Sequence, residues 1–400
     1  MRILLAHNYY QRSGGEDAVF CAESKLLRQY ENDVVEYTES NSRITNWGRL
    51  SAISNTVWSG STRRKLGRIL HDKRPQIVHF HNTFMRISPS AYSACRQAHV
   101  PVVQTLHNYR LLCPAATLFR SGRVCEDCTN TLLSWPGVMR GCWRGSRAAT
   151  AVVATMLSVH RALGTWQKMV DIYIVLTEFA RSKVVEGGLP AEKVVLKPNF
   201  VFPDPGIRTD GGDYALFVGR FSPEKGIFTL LRSWKRLDSI PLKLVGEGSL
   251  RQEIESIVLG ERLESVEILG QRSHDDVLNF MKRSRFLVFP SEWYEALPMV
   301  IVEAFACGLP VIASRHGAMG EIIKHGRTGL HFETGNAEDL AANVEWAWSH
   351  PKQMAEMGRN ARREYEDKYT AEKNYKLLME IYQLAIERAK QRYGARAGNG

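Results

Sequence analysis

The chain has 400 residues, of which 44% are hydrophobic and 24% charged, so it is too apolar to be largely disordered and too long for one hydrophobic core. Two domains of roughly 200 residues are expected. The net charge of +11 is uneven: residues 1–198 carry 26 Lys/Arg against 14 Asp/Glu, a net of +12, which leaves −1 for the rest and, with no recognised module beside the basic residues, argues against nucleic-acid binding.

The chain opens with RILLAHN, a short apolar run that reads as a buried parallel strand. It is followed by Ser13-Gly14-Gly15-Glu16 and a helical pattern over 16–29. Paired glycines before a helix let backbone amides approach a phosphate, although a simple turn has the same composition. Strand-like runs follow at 33–37, 77–80, 100–106 and 172–176, with another helix over 146–159. Such alternation predicts an α/β domain with a mostly parallel sheet.

The pattern breaks near Lys197-Pro-Asn-Phe-Val-Phe-Pro-Asp-Pro-Gly206, where prolines and glycines mark a linker. A second α/β series has strands at 214–218, 242–245, 266–269, 286–289 and 310–313. The expected organisation is a first domain over 1–198 with a Cys-rich insert around 113–142, a linker over 199–212 and a second domain over 213–370. An amphipathic helix and a frayed tail over 371–400 end the chain.

In the second domain, LFVGRFSPEKG places Arg220 just after a strand and Lys225 in a Pro/Gly-bounded loop. Arg forms paired bonds to phosphoryl oxygens and Lys supplies a point charge, so together they suit a diphosphate; solvated loop charges are the plainer reading. The segment FPSEWYEALPMVIVEAFACGLPVIAS carries the strongest signal. Glu295 is expected in the loop before a helix and Glu303 within it. Glu303 lies among Val300, Ile301, Val302, Ala304, Phe305 and Ala306, where an unpartnered acid is costly, so ligand hydroxyls or an Arg should meet it unless it lies on a surface face.

These segments, in this order, resemble glycosyltransferase family 4, from RILLAHN and SGGE through GRFSPEKG, LKLVGEGSLR and the Glu-x7-Glu run to HGAMGEIIKHGRTGLHF. The resemblance implies a retaining, nucleotide-sugar-dependent enzyme of GT-B fold, two Rossmann-like domains facing each other across a cleft. It implies a donor held mainly by the second domain and an acceptor held mainly by the first. By position, Glu303 resembles the residue on the ribose hydroxyls, Arg220 and Lys225 the diphosphate clamp, and Glu295 the acid near the donor sugar. Gly14 and Gly15 match the amides near the phosphates, and His107 the histidine beside the donor sugar. Where many members read Glu-Gly-Phe-Gly, this chain reads Glu295-Ala296-Leu297-Pro298. Amides at Leu297, Met299 and Val300 could serve the donor, but Pro298 has no N–H.

On this reading the product belongs to cell-surface polysaccharide or glycolipid synthesis, and catalysis requires no cofactor. Alternatives are a related sugar epimerase or phosphorylase, or an inactive sugar-nucleotide binding module. His79 and His81 are expected on one side of a strand, lining the acceptor side. Cys113, Cys125, Cys128 and Cys142 form C-x11-C-x2-C-x13-C, a candidate structural zinc set, with a thiol cluster or buried thiols as alternatives. Cys21, Cys95 and Cys307 read as ordinary buried thiols.

Segment 47–74 interleaves Arg49, Arg63, Arg64, Lys65, Arg68, Lys73 and Arg74 with Trp47, Trp58, Leu66, Ile69 and Leu70. Either a solvated basic helix or a face resting on anionic lipid fits, the latter suiting a lipid-linked sugar acceptor. No stretch of 18 apolar residues occurs and the start lacks a signal-peptide core, so a cytoplasmic protein is expected, peripheral on the inner membrane face if lipid-bound.

Overall fold

The computed structural model describes residues 1–11, 14–41, 54–208 and 211–397. Chain contacts divide it into two units. The first comprises Met1–Leu118, Glu126–Asn199 and the C-terminal stretch from Asn374; the second comprises Phe200–Lys373 with the short segment Phe119–Cys125. The terminal helix, expected as a separate segment, therefore belongs to the first unit, and part of the Cys-rich insert is counted with the second. The chain passes between units at Asn199, the start of the expected linker.

The first unit carries strands β1 (Arg2–Tyr9), β2 (Asp33–Ser40), β3 (Ile77–Asn82) and β4 (Val102–Thr105). After a small antiparallel pair, β5 (Phe119–Arg120) and β6 (Arg123–Val124), come β7 (Ile172–Val175) and β8 (Val194–Leu196). Its six-stranded sheet is parallel throughout, in the order β2-β1-β3-β4-β7-β8. Ile3, Leu5, Ile77, Val103, Ile172 and Ile174 alternate onto one face, which Phe20 and Leu27 of the Gly15–Gln29 helix cover. The Ala371–Ala397 helix buries Leu378, Ile381, Tyr382 and Ala385 in the same cluster, which is why it joins this unit.

The second unit repeats the design with β9 (Ala215–Val218), β10 (Leu242–Val245), β11 (Val266–Gly270), β12 (Phe286–Phe289), β13 (Val311–Ser314) and β14 (Gly329–Phe332). All pairs are parallel, in the order β11-β10-β9-β12-β13-β14. The core is built on Phe217, Leu244, Phe286, Val288 and Ile312, with Leu230, Trp234 and Leu340 packed over them from helices.

In each sheet the winding direction reverses beside the first strand. The chain runs from β1 outward to β2, then returns to place β3 on the other side; β9 stands in the same relation to β10 and β12. Loops leaving two such neighbouring strands diverge and open a crevice at the carboxyl ends, where ligands of open α/β sheets bind. The loops after β1 and β3, and after β9 and β12, are thus the places to look.

Candidate functional site

In the second unit, Arg220 lies two residues past β9 and is exposed. Lys225 closes the single turn Pro223–Lys225, and Gly226 follows with φ of 67°. A side chain on Gly226 would run into the Pro290 carbonyl, so glycine lets the loop after β9 press against the loop after β12. This contact brings Lys225 to Glu295: the ammonium donates to Glu295 Oε1 at 2.5 Å, and Ser291 Oγ donates to the same oxygen at 2.9 Å. Lys225 also lies 5.6 Å from the Phe289 ring and 5.3 Å from that of Trp293. The point charge expected of Lys225 is held on a buried carboxylate, to which Ser291 also donates.

Glu303 stands within the Met299–Ala306 helix and Glu295 in the loop before it, as expected. Its side chain is 15% exposed, and its facing partner is His274, Nδ1 to Oε1 at 3.8 Å, rather than an Arg. Burial raises the Glu303 carboxyl above its ordinary range, and His274 offsets this only in part. Leu297 is buried, whereas Met299 and Val300 are half-buried in the first turn, whose N–H groups have no intrahelical acceptor. A carboxylate that gains from hydroxyl donors, a tethered ammonium and an open helix N-terminus thus cluster on the loops after β9 and β12.

In the first unit, Gly14 caps the Gly15–Gln29 helix, and its N–H is given to Asp17 Oδ2 at 3.0 Å. The amides of Gly15 and Glu16 remain at the helix start. Asp17 also binds His7 Nε2 at 2.7 Å. Glu16 accepts from Asn82 Nδ2 at 2.8 Å and from Asn108 Nδ2 at 3.3 Å, joining the start of this helix to the end of β3 and to the residue after His107. Burial, then the charge of Asp17, push its carboxyl up to about 8.

His107 is the end of a chain of buried polar groups. Lys197 donates to Glu23 Oε2 at 3.1 Å; Glu23 Oε1 meets His81 Nε2 at 3.1 Å; His81 Nδ1 meets His107 Nε2 at 3.1 Å. Burial alone would raise Glu23, but Lys197, His81 and His79 together hold it well below the carboxylate range, so it only accepts. Burial and the neighbouring histidine hold His81 down at about 4 and His107 well below 6.5, so both rings are neutral at pH 7.

The proton positions then follow in order. His81 must donate through Nε2 to Glu23, its Nδ1 accepts from His107 Nε2–H, and His107 Nδ1 is left as a lone pair. In ¹⁵N-histidine spectra at pH 7, His81 and His107, identified by substitution, should both show protonated Nε2 and bare Nδ1. A protonated Nδ1 on His107 would refute this order.

His79 and His81 share one side of β3, with ring centroids 4.4 Å apart, as alternation predicted. They do not line an open acceptor surface, since both are buried. His79 Nδ1 reaches the Tyr382 hydroxyl at 2.9 Å and Nε2 reaches Thr105 at 2.8 Å. The structure also brings Glu23 to this pair. Among the described residues, Glu23, His79 and His81 form one of two groups whose ligand atoms lie within 4.8 Å of one another; His7, Glu16 and Asp17 form the other. In the first, the Lys197 ammonium already supplies the countercharge a metal would bring.

Cys113, Cys128 and Cys142, the members of the cysteine set in the first unit, form no such group here, and Cys125 falls in the other unit. No disulfide joins any cysteine, and Cys21 is exposed rather than buried. Trp47 and Arg49 lie outside the described residues. Leu66 and Leu70 of the Gly60–Lys73 helix are buried in the first unit, so this helix's apolar stripe is used on the core and not on lipid. No helix among the described residues is long and apolar enough to cross a membrane.

Sequence reasoning missed Glu16, Glu23, Lys197, Ser291 and His274. Glu23 had a readable signal: Val19, Phe20, Glu23, Leu26 and Leu27 form one buried helical stripe, and an acid in that stripe requires a partner. Lys197 lay in a linker-like run, with nothing local to mark its burial.

Residues 9–199 match the model of the glycosyl transferase 4-like domain, and residues 204–364 that of glycosyl transferases group 1. An uncharacterized glycosyltransferase of Methanocaldococcus jannaschii is 38% identical over 174 residues, 43% of this chain and 49% of that protein. D-rhamnosyltransferase WbpZ of Pseudomonas aeruginosa is 33% identical over 163 residues, 40% of this chain and 42% of that protein. The chain thus spans about half the length, or less, of these curated relatives. Among solved structures, sucrose-phosphate synthase from Thermosynechococcus elongatus aligns with a TM-score of 0.71 at 17% identity, over 98% of this chain and 99% of that one. HepE of Anabaena, solved with UDP and glucose, aligns with a TM-score of 0.68 at 17% identity, over 95% and 99%. The fold is that of the GT-B glycosyltransferases, and each half of the chain matches a glycosyl transferase domain model.

Proposed function

We propose that the chain moves a glycosyl group from a nucleoside diphosphate sugar to an acceptor hydroxyl, with retention at the anomeric carbon. The observation that carries this reading is the cluster at the crevice of the second sheet, where Lys225 is held on Glu295 beside the helix bearing Glu303. Glu303 accepts from the ribose hydroxyls. Arg220 and Lys225 take the diphosphate, whose negative charge grows as the bond from C1 to phosphate oxygen breaks. The helix N-terminus at Met299 and Val300 and the carboxylate of Glu295 face the donor sugar.

The acceptor oxygen bonds to C1 on the face the diphosphate leaves, and its proton passes to the departing phosphate oxygen. His107, neutral and presenting Nδ1 as an acceptor, orients a sugar hydroxyl rather than acting as a base. No metal is asked of this scheme, because the basic residues carry the diphosphate charge. The acceptor is a sugar or lipid-linked sugar of the cell-surface polysaccharide or glycolipid class.

The test is a donor panel, starting with UDP-glucose because HepE was solved with UDP and glucose, with soluble and lipid-linked sugar acceptors. Glycoside product with the donor's anomeric configuration is expected, alongside the nucleoside diphosphate. An inverted product would remove the retaining mechanism. An epimerised donor, or a sugar phosphate made with inorganic phosphate, would replace transfer by one of the related activities.

A further inference from the structure

Of the twelve large hydrophobic side chains that are exposed among the described residues, seven lie on segments joined at one edge of the first unit. Leu132, Leu133, Trp135, Met139 and Leu163 are each between 57% and 63% exposed; Trp58 is 42% and Val159 37% exposed. Trp135 and Met139 are four apart on the Trp135–Arg140 helix and share its outer face. His160, near the end of the Arg147–Ala162 helix, binds the Val57 carbonyl through Nε2 at 2.9 Å, and its ring stacks with Trp58. Arg161, the next residue, donates to the Thr131 carbonyl at 2.5 Å and to Ser134 Oγ at 3.4 Å. Three segments distant in sequence, 57–58, 131–139 and 159–163, are thereby fastened together. Their apolar side chains are left outside the fold.

This edge is bordered by cations. The Gly60–Lys73 helix begins two residues after Trp58 and exposes Arg63, Arg64, Lys65 and Arg68. Lys65 pairs with Glu39, and Arg63 donates to Gln97. Arg144 and Arg147 are exposed on the chain leaving the Trp135–Arg140 helix. Clustered Trp, Leu and Met side chains rimmed by Arg and Lys match the chemistry of an anionic bilayer surface: indole and aliphatic groups enter the headgroup boundary while cations meet lipid phosphates. A solvated basic helix alone would leave these exposed apolar side chains on joined segments unexplained, whereas grouped exposed apolar side chains mark interaction sites.

We propose that the first unit docks on an anionic lipid bilayer through this edge, with Trp58, Leu132, Leu133, Trp135, Met139 and Leu163 as the inserted groups. The basic helix supplies attraction and the edge supplies insertion. The proposal needs nothing from the donor site, so donor turnover with a soluble acceptor can fail or succeed independently of it.

The whole protein is floated with vesicles of phosphatidylcholine alone and of phosphatidylcholine with phosphatidylglycerol. Binding is expected to the anionic vesicles and to weaken with salt. Leu132→Ser, Leu133→Ser, Trp135→Ser and Met139→Ser combined should lower partitioning by at least about tenfold with an unchanged melting curve, because these side chains support no core. Arg64→Glu with Arg68→Glu should cost about fivefold for each lost cation. Brominated lipid should quench the wild type more than Trp135→Phe. Absence of binding to anionic vesicles would overturn the proposal, as would equal binding by the fourfold variant. A wild type that dimerises through this edge without floating would assign it to a second copy of the chain instead.

Discussion

Lys225→Ala should lower kcat for glycosyl transfer by about 10²–10³, the loss seen when one preorganised donor to developing charge is removed. The ammonium acts where negative charge increases between bound donor and transition state, so the loss should fall on kcat rather than on KM. Glu303→Ala should behave differently. Hydrogen bonds from ribose hydroxyls to a carboxylate are the same in ground and transition states. Their removal should therefore raise the donor KM by roughly ten- to a hundredfold, the equivalent of about 1.5–3 kcal/mol, with a smaller change in kcat.

The structure adds a control to this pair. Lys225 is a cation on buried Glu295, so Lys225→Ala also takes an ammonium away from that carboxylate. Lys225→Ala combined with Glu295→Gln removes the carboxylate charge as well. If the kcat loss persists in the double variant with a normal melting curve, it reports on the diphosphate and not on a disturbed loop. Wild-type turnover in both Lys225→Ala and Glu303→Ala, measured with an accepted donor, would end the assignment of this site.

The positions of the residues proposed for the donor side were legible because they are local in sequence. Arg220 and Lys225 both lie in the eight residues between Val218 and Ile227, and Glu295 and Glu303 bracket a helix start, so strand–loop–helix reading puts each on the element expected. Both parallel sheets were legible for the same reason, although the short edge strands β8 and β14 were missed; three or four residues carry little periodicity. What sequence could not show was pairing across long separations. Glu23 and Lys197 are 174 residues apart, and His79 meets Tyr382 across 303. A histidine pair on a strand reads equally as a surface or as a core feature until those partners are known. The basic helix is a similar case: whether Leu66 and Leu70 face outward or inward is open in the sequence, and they are buried in the first unit.

Glu23→Ala should destabilise the first unit by about 3–5 kcal/mol, because it leaves the Lys197 ammonium buried with no countercharge. Both side chains are 1% exposed, and the carboxylate also meets His79 and His81, so one substitution removes the centre of the network. Glu23→Ala with Lys197→Met should recover much of the loss, since an apolar replacement of a buried pair is often neutral.

Acid should act on the same network. The Glu23 carboxyl is held well below its unfolded range, so its contribution is complete above about pH 4.3 and is lost as pH falls through that range and below it. His81 titrates near 4 when folded and near 6.5 when unfolded, so the unfolded chain binds the proton that the folded chain refuses. Stability should therefore decline as pH falls from about 6.5 toward 4, driven by His81, and further below that as Glu23 protonates. The groups facing one another there are Glu23, Lys197, His7, His79, His81, His107 and Tyr382, and no other carboxylate among those described touches His81.

Denaturant melts of wild type, Glu23→Ala, Lys197→Met and the double variant, at pH 7.5 and pH 5, would separate the terms as a double-mutant cycle. A coupling energy near zero between Glu23 and Lys197 would show that the pair does not hold the first unit together. The neutral, fixed orientation of His107 would then have to be supported from elsewhere.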